Sequence, residues 1–148
     1  MNPTKRSLVS FVILVGVVVA LYLEHSLIAQ TTVGLILQAL AIALMLWARV
    51  TFGMRSFHAT ANPTAGGLVS SGPYRFWRHP IYAAVLLFVW AGVLAQGVMP
   101  TAIAIALAIL ATAMTAVRIV SEESLLRASM PEYAAYALRT KRLVPFVF

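Results

Sequence analysis

The chain has 148 residues, which is the length of one ordinary domain. Hydrophobic residues make up 61% of it and charged residues only 10%, so there is too little polar surface for a water-soluble fold. The net charge of +7 does not indicate nucleic-acid binding, because the basic residues form no dense patch. With no cysteine, disulfides, thiolate metal sites and a cysteine nucleophile are excluded. We therefore expect an all-α integral membrane protein.

Four apolar stretches follow one another along the chain, at about 8–23, 32–48, 81–99 and 101–120. A helix needs roughly 20 residues to cross the hydrocarbon core, so the sequence predicts about four transmembrane helices. The Gly97-Val98-Met99-Pro100 turn predicts that the last two form an antiparallel hairpin. The first stretch could instead be a signal peptide, but no convincing cleavage site follows it.

The basic residues lie on one side of these predicted helices. Both connections on the other side, 24–31 and 97–100, contain none. By the positive-inside rule the two termini and the long middle loop are cytoplasmic. We expect a multi-pass protein of a bacterial or archaeal-type inner membrane. The eleven basic residues are Lys5, Arg6, Arg49, Arg55, Arg75, Arg78, Arg118, Arg127, Arg139, Lys141 and Arg142.

Two polar segments, 49–80 and 121–148, complete the chain. Turn-forming pairs such as Asn62-Pro63 and Gly72-Pro73 predict a loop in the first. In the second, Pro131 suits the first turn of a short helix over about 131–139. We expect a single membrane domain, with an N-terminal helix pair in 1–48 and a core in 49–148.

The fourth helix is predicted to continue into the second polar segment. Arg118 with Glu122, and Glu123 with Arg127, are oppositely charged pairs four residues apart, which favours helix to about Ser129. These residues are either a solvated helix end or a site. Since Arg118 lies about one turn inside the predicted membrane boundary, where an ionised group is costly, its position favours a function.

A second polar cluster leads into the third helix, from Gly72 to Tyr82. It holds two arginines, an imidazole, two phenols and an indole within eleven residues. One interpretation is an interfacial anchor of aromatic and basic side chains. The prolines after Gly72 and His79 stiffen the backbone more than an anchor requires, and Pro80 at a helix start leaves amide groups that can bind an anion.

The predicted hairpin brings the two clusters to one interfacial pocket, because its helices are antiparallel. The three histidines, His25, His58 and His79, are scattered without matched carboxylates and do not form a metal site. Of these, His58 is a weak candidate for a site role.

The two clusters resemble the isoprenylcysteine carboxyl methyltransferase family and the related phospholipid methyltransferases. The resemblance covers about residues 49–148. Its motifs are the LVSSGPY segment at 68–74, RHPIY at 78–82, Arg118 with EESLL at 122–126, EYAAY at 132–136 and LVPF at 143–146. One departure is Ala84, where the family often has glycine. The second is a short N-terminal part, which bears on acceptor recognition.

The resemblance implies that residues 49–148 are a catalytic core with a cytoplasmic-side pocket for the cofactor S-adenosylmethionine. Arg118 would face the methyl acceptor, and Glu123 is a candidate base for an amine or thiol acceptor. The acceptor would be lipidic or amphiphilic, with the carboxylate of a prenylated cysteine as prototype, and membrane lipids would be further partners. Cofactor contacts are expected from Gly67, Leu68, Val69, Tyr74, His79, Pro80, Ile81, Tyr82 and Glu122.

Two alternatives to a methyltransferase stay open at this point. The first is a membrane reductase that uses a nicotinamide cofactor, since sterol reductases have a related helical core. The second is a non-enzymatic membrane scaffold whose aromatic and basic loop binds anionic lipid.

Overall fold

The computed structural model describes residues 2–53 and 67–143, and regular structure there is helical apart from one isolated bridge between Trp77 and Lys141. Three of the helices, Pro3–Leu23, Thr32–Phe52 and Ala102–Ser129, are long and apolar enough to cross a membrane. This confirms the predicted all-α membrane fold. The predicted number of four spans is approximate, because the fourth apolar helix, Pro80–Leu94, is shorter. The helices are α1 (Pro3–Leu23), α2 (Thr32–Phe52), a 3₁₀ helix (Gly72–Arg75), α3 (Pro80–Leu94), α4 (Ala102–Ser129) and α5 (Tyr133–Arg139).

The helix bounds differ from the predicted stretches in one important place. The third stretch was expected to reach Met99, but α3 ends at Leu94. The carbonyl of Ala95 accepts hydrogen bonds from the amides of Gln30 and Thr31, so the chain leaves the helix to meet the α1–α2 connection. At about 1.5 Å per residue, α3 is only about 22 Å long, shorter than a typical hydrocarbon core.

The C-terminal bounds agree closely with expectation. Helix α4 ends at Ser129 as predicted, whereas α5 begins at Tyr133 instead of Pro131. The Tyr133 amide first closes a turn on the Met130 carbonyl, which accounts for the later start. Three features of the sequence analysis lie outside the described residues: the predicted turn at Asn62-Pro63, the candidate His58 and the end of the LVPF motif (144–146).

Helix α1 packs along α4, and α2 packs along α3. The α1–α4 seam has buried residues at alternating spacings of three and four on both helices, and most of them are small. Small side chains let transmembrane helices approach closely. Each N-terminal helix thus packs on a helix of the later part of the chain, while the division at residue 48 stays a prediction. The seam consists of Ser7, Ser10, Leu14, Val17 and Leu21 with Ala104, Ala108, Ala111, Thr115 and Arg118.

The connection between α1 and α2 packs against the far end of α3. Leu27 belongs to the same hydrophobic core as Val89 and Val93. Gln38 is buried and satisfies the backbone there, since its amide nitrogen donates to the carbonyls of Leu27 (2.8 Å) and Phe88 (3.1 Å). These contacts fix α3 at one end, and its other end, at Pro80, carries the polar cluster.

Candidate active site

The two polar clusters meet where α3 begins and α4 nears its end. The Tyr82 hydroxyl donates to Oε1 of Glu122 and accepts a hydrogen bond of 2.9 Å from Nε of Arg118. The expectation that the hairpin makes the clusters neighbours is confirmed. A phenol, a carboxylate and a guanidinium are thus joined across the α3–α4 contact.

Arg118 is only 4% exposed and its charge is compensated locally. Its Nη2 lies 3.3 Å from Oε1 of Glu122, which confirms the predicted pair four residues apart. Its Nη1 donates to the carbonyl of Ser7 on α1 at 2.9 Å, and its guanidinium lies over the ring of Phe11 with its carbon 5.1 Å from the ring centroid. The charge that the sequence placed inside the membrane boundary is therefore held by α1, α3 and α4 together.

Glu123 is the centre of a separate cluster of ion pairs. Its carboxylate, 5% exposed, accepts from Nε of Arg78 at 3.0 Å. Arg142 donates to it through Nε (3.1 Å) and Nη2 (3.0 Å), and Arg127 lies 3.6 Å away. A bidentate guanidinium pair is among the stronger charge-assisted contacts. This arrangement favours a positioning role for Glu123, while its role as general base stays a prediction.

His79 lies between the two carboxylates. Its Nδ1 is 3.8 Å from Oε2 of Glu122, and its Nε2 is 3.5 Å from Oε1 of Glu123. Its ring stacks on that of Tyr82 with centroids 5.7 Å apart, and its side chain is 6% exposed. The 3.5 Å separation is at the outer limit of a hydrogen bond, so Nε2 is buried without a well-formed partner.

The 3₁₀ helix that precedes this site requires glycine at its start. Gly72 has φ of +54°, and a Cβ there would lie 2.5 Å from Oγ1 of Thr51 on α2. The close approach seats Tyr74 against Phe52, with ring centroids 5.3 Å apart. Tyr74 is buried, and this burial raises the pKa of its phenol.

A C-terminal strap, residues 140–142, runs beside the segment that enters α3. The Arg78 amide donates to the Lys141 carbonyl at 2.7 Å, the His79 amide donates to the Arg142 carbonyl at 3.1 Å, and the Lys141 amide returns a bond of 3.2 Å to Phe76. Hydrogen bonding to Glu123 raises the pKa of Arg142. The strap could not be predicted from the sequence, because no local spacing links residues about sixty positions apart.

Helix α5 holds the same segment from the other side. The Tyr136 hydroxyl donates to the Tyr74 carbonyl at 2.7 Å, and Nη1 of Arg78 donates to the carbonyls of Ala137 (2.7 Å) and Thr140. Burial raises the pKa of Tyr136 to about 12, so its hydroxyl stays a donor at neutral pH. Hydrogen bonds to backbone carbonyls thus hold the RHPIY motif, through Arg78, to the C-terminal part of the described chain.

The remaining candidate cofactor residues lie along the entry to α3. Pro80 is buried at the first position of the helix, and the amides of Ile81 and Tyr82 lie in its first turn, where a helix lacks internal acceptors for its N–H groups. Gly67, Leu68 and Val69 form the non-helical segment that leads to the 3₁₀ helix, and their roles stay predictions.

Besides Nε2 of His79, four side-chain polar atoms of the described residues are buried without a hydrogen-bond partner. They are Nε1 of Trp77 and the hydroxyls of Tyr133, Ser7 and Thr115. Buried donors of this kind usually have a partner, and an absent ligand is one reason for an exception. Within residues 2–53 and 67–143 no three histidine, aspartate or glutamate side chains are grouped so that they could hold a metal ion.

An apolar cavity of about 250 Å³ opens on the other side of α3. It lies between α1, α2 and α3, and its lining begins at Ala84, two residues after Tyr82. The lining also includes Val18 of α1, Ala41, Met45 and Leu46 of α2, and Phe88 of α3. Two residues correspond to about 200° around a helix, so the cavity lies on a different face of α3 from the Tyr82 side chain.

Comparisons with known proteins agree with this architecture. A model of the isoprenylcysteine carboxyl methyltransferase (ICMT) family matches residues 32–128. The chain is 36% identical over 117 residues, 77% of its length, to the cobalt-zinc-cadmium resistance protein CzcN of Cupriavidus metallidurans. The chain spans about half the length of that curated relative, 48%. No solved structure matches.

Proposed function

This chain belongs to the isoprenylcysteine carboxyl methyltransferase family, and we propose that it transfers a methyl group from S-adenosylmethionine to a lipidic or amphiphilic acceptor. Family membership supports a membrane methyltransferase. The observation that carries the proposal is the junction of Tyr82 with Glu122 and Arg118, which joins the candidate cofactor residues to the candidate acceptor residue.

The residues present fit such a cofactor. Its ammonium and ribose hydroxyls need acceptors, and the carboxylate of Glu122, 21% exposed, is one. Its carboxylate needs donors, which the amides of the first turn of α3 offer. The buried nitrogens of His79 and Trp77 are two further polar atoms that lack a partner. When bound, S-adenosylmethionine would supply a methyl group on a positively charged sulfur.

The task of the protein in such a transfer is to orient the reactants and to exclude water. An in-line displacement gains much of its rate from correct geometry in a dry site. A carboxylate acceptor is already nucleophilic and needs no base, but it needs a cation to hold it. Arg118, held rigidly by Tyr82 and the Ser7 carbonyl, is a guanidinium that can do so.

A lipidic acceptor suits the membrane location of the site. The apolar cavity lined by Ala84 offers space for a hydrocarbon chain, and the polar head of such an acceptor would have to pass the start of α3 to reach Tyr82 and Arg118. The alanine in place of the family's usual glycine narrows this space by one methyl group. The prenylcysteine carboxylate stays the prototype of the acceptor.

We further propose that the site faces the cytoplasm of a bacterial or archaeal-type cell. The sequence predicts that all eleven lysines and arginines lie at the end of the helix bundle that carries the site. A soluble cofactor would enter from that side, and a membrane-dissolved acceptor would enter between the helices.

The test is a transfer assay with purified protein in lipid nanodiscs, S-adenosylmethionine labelled in its methyl group, and a panel of prenylcysteine, phospholipid and thiol acceptors. We expect label in at least one lipidic product. Glu122→Ala should abolish cofactor binding, and Arg118→Ala should retain binding but lose turnover. Failure of every acceptor, together with failure to bind S-adenosylhomocysteine at millimolar concentration, would contradict the proposal.

A further inference from the structure

Arg142 connects two parts of the molecule that are far apart in sequence. Its side chain donates twice to Glu123 of α4, at 3.1 Å from Nε and 3.0 Å from Nη2. Its backbone carbonyl accepts from the amide of His79, 3.1 Å away, at the start of α3. A displacement of Arg142 relative to α4 would therefore move the backbone of His79.

The backbone of the strap is also bonded to the segment that enters α3. The Arg78 amide donates to the Lys141 carbonyl, and the Lys141 amide donates to the Phe76 carbonyl. These bonds hold the strap to that segment when the side chain of Arg142 is removed. The side chain of Arg142 adds a tie from the strap to Glu123 of α4, so its loss should alter the pocket more than the fold.

The position of the strap matters because the His79 side chain is buried and contacts three side chains of the site. Its ring stacks on Tyr82 and lies 3.8 Å from Glu122 and 3.5 Å from Glu123. A backbone shift of a fraction of an ångström would change all three relations, and polar contacts lose strength steeply with poor geometry. Arg142 itself has a side chain that is 33% exposed and lies at the rim of the cluster.

We propose that Arg142 is a positioning residue for the cofactor pocket, acting through Glu123 and the backbone of His79. The inference rests on the proposed function, since it concerns the affinity of the same pocket. Arg142 does not take part in the transfer step. It sets the position of the residues that would bind the cofactor.

The experiment measures the dissociation constant for S-adenosylhomocysteine by calorimetry in nanodiscs, and the KM for S-adenosylmethionine with kcat in the transfer assay. The variants are Arg142→Ala and Arg142→Lys, and the control is Arg139→Ala, an exposed arginine of α5. Because charge-assisted hydrogen bonds are lost, we expect Arg142→Ala to raise the dissociation constant and KM roughly tenfold or more. At saturating cofactor, kcat should fall less than about threefold.

The lysine variant retains the charge but not the bidentate geometry, so it should restore part of the affinity. In a Glu123→Gln background, Arg142→Ala should add little further loss, because the partner is already gone. A merely structural role would lower the amount of active protein and leave KM and the dissociation constant unchanged.

The outcomes separate this inference from the proposed function. If the wild-type protein does not bind S-adenosylhomocysteine, the proposed function fails and this inference with it. If it binds and Arg142→Ala binds equally well, only the inference is overturned. Should Arg142→Ala not fold, Arg142→Lys decides: weakened binding supports the positioning role, and unchanged binding contradicts it.

Discussion

The substitution Glu123→Gln tests whether the buried carboxylate holds the C-terminal part of the molecule in place. It removes one negative charge and leaves the shape of the side chain nearly unchanged. Arg78, whose side chain is 9% exposed, would then be a buried cation whose partners, the carbonyls of Ala137 and Thr140 and the new amide, are all neutral. We expect a loss of stability, because a buried charge without a counter-charge is costly.

The size of the effect follows from the burial of the partners. Removing one partner of a buried ion pair costs about 3–5 kcal/mol. The lower end applies, because two carbonyls still compensate Arg78, and because solvent screens the charges of the more exposed Arg127 and Arg142 when Glu123 is neutral. For a chain of this length, about 3 kcal/mol corresponds to a decrease in apparent melting temperature of about 6–12 °C.

Tryptophan fluorescence during thermal unfolding of the purified protein measures this change, since Trp77 lies in the strap region. The matched control is Glu132→Gln, which removes an exposed carboxylate just before α5. We expect the control to change the melting temperature by less than about 2 °C. If both variants melt alike, Glu123 does not organise the cluster.

Three further predictions concern other parts of the site. Tyr82→Phe removes the acceptor for Arg118, so kcat/KM should fall about tenfold in the transfer assay with the fold retained. Gly72→Ala should lower the melting temperature because φ is +54° and the added Cβ meets a threonine hydroxyl, whereas Gly16→Ala, with open space around it, should not. Burial raises the pKa of Tyr136 to about 12, so the folded state holds the phenol proton more tightly than the unfolded state does. The stabilising contribution of this proton is present below about pH 10 and should be lost between about pH 10 and 12. In a pH series of melting curves, Tyr136→Phe should reduce this alkaline loss of stability.

The parts of the site that follow from local spacing could be predicted from the sequence. Arg118 and Glu122 are four residues apart on one helix, and their contact is a property of helix geometry. The hairpin predicted from the Gly97–Pro100 turn then brings Tyr82 to Glu122 without further information. Charge asymmetry predicted which helix ends share a side, and the orientation itself stays a prediction.

The parts that depend on tertiary contacts could not be predicted. The carbonyl of Ser7 accepts from Arg118 across 111 positions. Beyond its first turns α1 is apolar on all sides, so hydropathy there does not reveal the face that packs on α4. The apolar run from 81 continues to Met99, yet the bonds from Gln30 and Thr31 to Ala95 end α3 earlier. The contact of Arg142 with Glu123 likewise depends on the fold, because the two residues are 19 positions apart and lie on different elements.

Calorimetric titration of the purified protein with S-adenosylhomocysteine tests the central claim most directly. It measures the pocket without requiring the acceptor to be known. We expect saturable binding at one site per chain in the wild-type protein, and loss of that binding in Glu122→Ala, whose carboxylate joins Tyr82 and Arg118. No binding by the wild type at millimolar ligand, or equal binding by Glu122→Ala, would contradict the proposed cofactor site.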